Sequence, residues 1–136
     1  FMPGAELVIV TTPQLAAAEV AERAGTIGMQ TRQRVAGVIE NMAWLPCPHC
    51  DERVDVFGSG GGAAVVAALS RSFGVDVPLL GQVPLDPRIV AGGDAGEPFV
   101  LAYPDAPAAA ELLKIADSLV VRERGLAGRP LGLQPA

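Results

Sequence analysis

The sequence predicts an α/β domain built on a small, mainly parallel sheet, half of a doubly wound architecture. Three apolar, β-branched runs (6–12, 34–40 and 77–83) are each followed by a stretch with helical spacing. Strand-then-helix alternation is the order of parallel crossovers. The runs are apolar at nearly every position, as strands covered on both faces are. Sixteen glycines and twelve prolines among 136 residues keep every element short.

Composition narrows the function classes. Half the residues are apolar and the mean hydropathy is +0.36, so the chain can bury a core. The length suits one domain. Ten basic residues against fifteen acidic leave a net charge of −5, which argues against a nucleic-acid surface. No run approaches the ~18 apolar residues of a membrane span. The opening, Phe-Met-Pro-Gly-Ala-Glu, lacks the basic region of a secretory signal. It reads as a cut within a longer protein, since the chain does not begin with Met. Two cysteines do not make a disulfide scaffold, so a reducing cytoplasm is the expected compartment.

The elements follow in order. ELVIVTT (6–12) is a buried strand, with Thr12 able to cap a helix that has Pro13 at its first position. From Gln14 to about Met29, Ala16, Val20, Ala24 and Ile27 recur as an apolar face, with Glu19, Glu22 and Arg23 turned outward. RVAGVIE (34–40) is the second strand, running into Asn41-Met42, and residues 43–60 are irregular. Gly60, Gly61 and Gly62 open a helix over 63–73 whose inner face is Val65, Ala68 and Leu69. VPLLGQV (77–83) is the third strand. Asp86-Pro87 starts a short helix that Gly92, Gly93 and Gly96 stop. The last helix begins at Asp105–Pro107 and carries a stripe of Leu112, Leu113, Ala116, Leu119 and Val120. The domain is expected to span 1–122, with its irregular loop at 44–62. Residues 123–136, with three glycines and two prolines, read as a loosely held tail.

Chemistry concentrates in Cys47-Pro48-His49-Cys50. Two thiols two residues apart, in a turn with prolines, can aim both sulfurs at one metal. A complete metal site needs four ligands, and neither a second CxxC nor a His pair is present. His49 lies inside the loop, so one chain supplies half a site and a second chain would complete it. A redox pair is the main rival, because a CPHC sequence also suits a thiol–disulfide centre at a helix N-terminus. Incidental thiols are the third reading. The run after Cys50 alternates like a strand and does not open a helix, which favours the metal.

Other positions carry weaker signals. The single lysine, Lys114, lies in a helical pattern with no glycine-rich loop before it, which excludes an intact Walker A phosphate loop. Gly58-Ser59-Gly60-Gly61-Gly62 could cradle an anion at a helix N-terminus, but a flexible hinge beside the cysteines is the simpler reading. Asn41, just past a strand end, sits at the carboxyl edge where α/β sheets bind ligands, and its amide could read an adenine edge. A turn-forming Asn fits as well. His49 reads as a solvated loop residue, and Trp44 as packing or shielding beside the cysteines.

With these residues in view, the chain resembles the Mrp (ApbC-like) family of iron–sulfur cluster carriers, P-loop ATPases related to MinD and the nitrogenase iron protein. The resemblance rests on GAELVIVTTPQ (4–14), GVIENMAWLPCPHC (37–50), FGSGGG (57–62) and PLLGQVPLDPRI (78–89), and runs over roughly 3–122. It implies the C-terminal half of a P-loop NTPase fold. It implies that Cys47 and Cys50 bind a [4Fe–4S] cluster bridging a homodimer, for transfer to apo iron–sulfur client proteins in the cytoplasm. It also implies that Asn41, Pro84 and Leu85 form the adenine side of an ATP site. The family's phosphate-binding loop is missing here, so ATP with magnesium, and its hydrolysis, belong to a full-length parent. No catalytic residue is assigned, and no nucleic-acid or membrane partner is expected.

Overall fold

The computed structural model describes residues 5–120; the tail expected at 123–136 lies outside them. Three strands, β1 (Glu6–Thr11), β2 (Arg34–Asn41) and β5 (Leu79–Val83), form a wholly parallel sheet in the order β1-β2-β5. Between β1 and β2 runs α1 (Leu15–Gln30). The connection from β2 to β5 holds a small antiparallel hairpin, β3 (Leu45–Pro46) and β4 (Arg53–Val54), and then α2 (Gly61–Phe73). After β5 come α3 (Pro87–Ala95), α4 (Phe99–Ala102) and α5 (Pro107–Val120).

The sheet is covered on both faces, so the doubly wound expectation holds. On one face α1 and α2 enclose Ile9, Ala18, Ala21, Val38, Val65, Leu69 and Val77. On the other, α4 and α5 enclose Val83, Phe99, Ala106, Ala108, Ala109 and Ile115. Side chains alternate across the pleat. On β2, Val38 faces α1 and α2 while Ile39 faces α5. This continuous burial explains why the strands read as unbroken apolar runs.

Helix α1 buries a different face from the one its large residues predict. Val20 is 66% exposed and Ile27 59%, and Ala16 and Ala24 are exposed too. The buried positions are Ala18, Ala21, Gly25 and Gly28. Small residues win because α1 lies so close to its neighbours: the Leu69 side chain fills the space beside Gly25, and Leu7 the space beside Gly28. Val20 lines a shallow groove together with Ala17, Ala24 and Val8 and Val10 of the edge strand β1.

Four smaller expectations also change. Gln14 takes the N-cap position of α1 in place of Thr12, and its backbone oxygen accepts from the N–H groups of Ala17 and Ala18. Helix α3 continues through Gly92 and Gly93 and stops at Gly96, whose left-handed backbone forms the C-cap. Helix α4 follows Pro98 within a stretch too short to show a period. On α5 the innermost residues are Ala108, Ala109 and Ile115, with Leu112 and Leu119 partly buried against them and Leu113 exposed. The inner face of α2 is as expected, with Val65, Ala68 and Leu69 buried.

Candidate functional site

The site begins where β2 leaves the sheet. Asn41 caps its own strand: its Oδ1 accepts the Met42 N–H at 2.9 Å, and Met42 adopts a left-handed backbone (φ 54°) that turns the chain. Two hydrogen bonds then tie the departing segment to the end of β5. Ala43 N–H donates to the Val83 carbonyl at 3.0 Å, and Leu85 N–H donates to the Trp44 carbonyl at 2.7 Å. Asn41 and Val83 face each other across the two strand ends, which puts Asn41 beside Pro84 and Leu85. Asn41 is exposed, Leu85 is half-buried and Pro84 is buried.

The cysteines occupy the tip of the β3–β4 hairpin, where only an irregular segment was expected. Leu45 pairs with Val54 and Pro46 with Arg53. Cys47 N–H donates to the Glu52 carbonyl and Asp51 N–H to the Cys47 carbonyl, each at 2.9 Å, closing the turn. Asp51 takes a left-handed conformation (φ 57°) at the corner. The Arg53 guanidinium lies 5.7 Å over the Trp44 ring, packing the base of the hairpin.

The turn points backbone donors at one sulfur. The N–H of His49, then the thiol and N–H of Cys50, donate to Cys47 Sγ and hold its thiol below its ordinary pKa. Desolvation and the Asp51 carboxylate oppose this more weakly. Stabilised thiolate is what a soft metal takes as ligand and what a nucleophile needs. Cys47 is half-buried and Cys50 exposed, and neither is in a disulfide. Among the described residues no three His, Cys, Asp or Glu side chains group as a metal site. One chain thus presents two thiols and no further ligand beside them. His49 contributes its backbone, and its ring is at the exposed tip. Val54, Val56 and Phe57, in and just after β4, leave their apolar side chains exposed.

The glycine-rich run is two different things. Gly58 and Gly60 are exposed with left-handed backbones (φ 83° and 88°). Gly61 and Gly62 are buried, Gly61 against Thr12 and Pro13 and Gly62 against Glu40. The hinge reading fails for these last two, which form a tight joint. Sequence reasoning passed over Glu40, whose signal was a carboxylate ending an apolar strand. It also passed over Asp86 and Arg88, where both Asp86 oxygens accept from the guanidinium at 2.9 and 2.6 Å, and that group stacks 4.4 Å from the Tyr103 ring centre.

A parallel sheet covered on both faces, with a two-cysteine hairpin leaving the carboxyl end of its central strand, defines a doubly wound α/β domain. The chain belongs to the ParA family of NUBPL-type iron-transfer P-loop NTPases, whose model matches residues 1–120. It is 60% identical over 135 residues to the iron-sulfur cluster carrier protein of Mycobacterium leprae, covering 99% of this chain and 35% of that protein. It is 37% identical over 113 residues to the human cytosolic Fe-S cluster assembly factor NUBP2, covering 83% of this chain and 40% of the other. The chain thus spans about a third of the length of the mycobacterial relatives it matches. The cell division ATPase MinD of Pyrococcus furiosus shares the fold at TM-score 0.60 and 22% identity, over 85% of this chain and 42% of that one. The MinD of Pyrococcus horikoshii also matches at 0.60 and 22%, over 92% and 44%. No helix among the described residues is long and apolar enough to cross a membrane.

Proposed function

We propose that this chain is the cluster-holding part of an iron–sulfur cluster carrier: Cys47 and Cys50 of two copies together bind one [4Fe–4S] cluster as cargo. The observation that carries this reading is the hairpin tip, where a turn closed by the Cys47 and Asp51 N–H groups presents two free thiols and no third ligand beside them among the described residues. Four-iron clusters take four thiolates, so two copies meet the requirement. Exposed Val54, Val56 and Phe57 would give the second copy apolar side chains to pack on. Transfer to a client apo-protein is ligand exchange. Each Fe–S bond to Cys47 or Cys50 that breaks is replaced by one to a client thiolate, with no change in oxidation state. A reducing cytoplasm suits such exposed thiols.

Nucleotide use is proposed for longer members of the family. Asn41, Pro84 and Leu85 would be the adenine side of that pocket. The phosphates would need groups this chain does not carry, since its single lysine, Lys114, is on α5 and pairs with Glu111. By itself the chain is expected to bind ATP with no useful affinity, since phosphate and magnesium contacts supply most of the positioning in such sites. Micromolar binding by calorimetry would overturn that.

The redox rival is best served by a first thiol at a helix N-terminus. Here the cysteines lie between β3 and β4, and α2 starts eleven residues after Cys50, at Gly61. Anaerobic reconstitution with iron and sulfide decides between the two. The carrier gives a brown protein with one four-iron cluster per two chains, and a dimer that chelators dissolve. A colourless monomer that catalyses thiol–disulfide exchange would overturn the proposal.

A further inference from the structure

Carboxylates are almost never fully buried unless paired, yet Glu40 is 1% exposed. Its Oε2 accepts from Gln82 Nε2 at 2.8 Å, across a register that pairs these two residues on β2 and β5. Its Oε1 has no hydrogen-bond partner among the described residues. Leaving a buried acceptor unsatisfied costs about 1–3 kcal/mol, so Glu40 is held in this tight joint at a cost to overall stability. The third wall of its site is the first turn of α2. A methyl group on Gly62 would sit 2.9 Å from Glu40 Cβ and 3.0 Å from Oε2. The carboxyl group therefore lies against the helix end where peptide dipoles converge their positive ends.

We propose that Glu40 is a positioning residue that locks the glycine-opened end of α2, the far anchor of the cysteine loop, to the strand end carrying Asn41. The inference rests on the cluster-carrier reading and deepens it. Residues 43–60 protrude from the sheet, and the ladder bonds from Ala43 and to Trp44 hold only their near end. The far end is held where Gly61 fits beneath Thr12 and Pro13, and Gly62 against Glu40. Glycine at 62 lets the helix approach the carboxyl group this closely. Asn41 follows Glu40 directly, so the loop's far anchor and the adenine-side residue share one rigid joint. A loop held at both ends keeps its two thiols in a fixed relation to a second copy.

The test uses the 136-residue chain as wild type, Glu40→Ala, Gly62→Ala and Ile9→Ala. Ile9 is buried on β1 and lies outside this joint, so it controls for lost stability alone. Amide hydrogen exchange across 44–60 is measured on all four, together with visible circular dichroism of the reconstituted cluster and its rate of loss to a chelator. Glu40→Ala and Gly62→Ala are expected to speed exchange in 44–60, alter the cluster's dichroism and release it about tenfold faster, the low end for residues supporting metal ligands. Ile9→Ala is expected to lower the thermal midpoint and leave all three readings at wild-type values. Should Glu40→Ala fail to fold, Gly62→Ala carries the comparison. Loop exchange and cluster loss that match Ile9→Ala would overturn the proposal. A wild-type chain that stays colourless would instead overturn the carrier reading, and loop exchange would then decide by itself whether Glu40 holds the loop.

Discussion

Residues 36–43 and 48–60 are near neighbours in sequence and opposites in structure. In the first stretch Ala36, Val38, Glu40 and Ala43 are each no more than 1% exposed; in the second every residue is exposed. The strand end is β-branched and locked between two helical layers. The loop is rich in Pro, Gly and charge, and two ladder rungs and a closed turn hold it. The difference divides the labour of the site. On the proposed carrier reading, a cargo that must leave needs reachable thiols, while their placement comes from the packed strand end. Local stability is uneven in this way wherever a scaffold presents a working loop.

The largest way to sharpen that contrast is to cut the chemistry out of the loop. Cys47→Ser or Cys50→Ser should abolish the brown colour and the cluster-dependent dimer, because a hydroxyl is a poor iron ligand beside thiolate. Thermal unfolding should stay within about 0.5 kcal/mol of wild type, as for other exposed substitutions. A cysteine variant that unfolds would show that the loop supports the core.

The reverse cut is made in the scaffold. Leu69, wholly buried between α1 and α2, should cost about 3 kcal/mol when changed to Ala, read by denaturant unfolding. The reactivity of Cys47 toward iodoacetamide should be unchanged while the protein stays folded. In wild type, Cys47 should be alkylated at lower pH than Cys50, since its thiol is held below the ordinary value. Peptide mapping across a pH series checks this, and equal profiles would break the argument from the turn's donors.

Asp86 tests the scaffold beside the adenine-side segment. It caps α3 by accepting from Arg88 N–H at 3.0 Å, and Asp86→Ala should cost about 1 kcal/mol. The Arg88 guanidinium lowers the Asp86 carboxyl pKa in the folded state. Its contribution is therefore present above the ordinary carboxylate range and lost as pH falls through the lowered value. The gap between wild type and variant should close there in pH-dependent unfolding. The smallest effect belongs to Val20→Ser, at most about 0.5 kcal/mol, because that side chain points away from the core. A large loss would mean the outer face of α1 is covered.

Much of this molecule is legible in its residues. The three strands stand within two residues of their expected bounds, since runs buried on both faces have a strong signal. The cysteine pair and its incompleteness as a metal site follow from spacing and counting. The β3–β4 hairpin is harder to read, because two-residue strands have no period. Glu40 looked like the polar end of a strand, and nothing local to it says that a helix twenty residues later will close over its side chain.

Alternating apolar runs and helical spacing determined the α/β class, and the spacing of Cys47 and Cys50 singled out the two-thiol loop on which the proposed function rests. The absence of a lysine in a glycine loop determined that these residues hold no intact Walker A loop. Only the tertiary structure decided which side of α1 faces inward and which glycines are joints. Periodicity marks where apolar residues recur, but the distance between packed elements decides whether large or small ones fit. Across Gly25, Gly28 and Gly62 that distance leaves no room for a side chain, and so the chain's smallest residues came to occupy its tightest contacts.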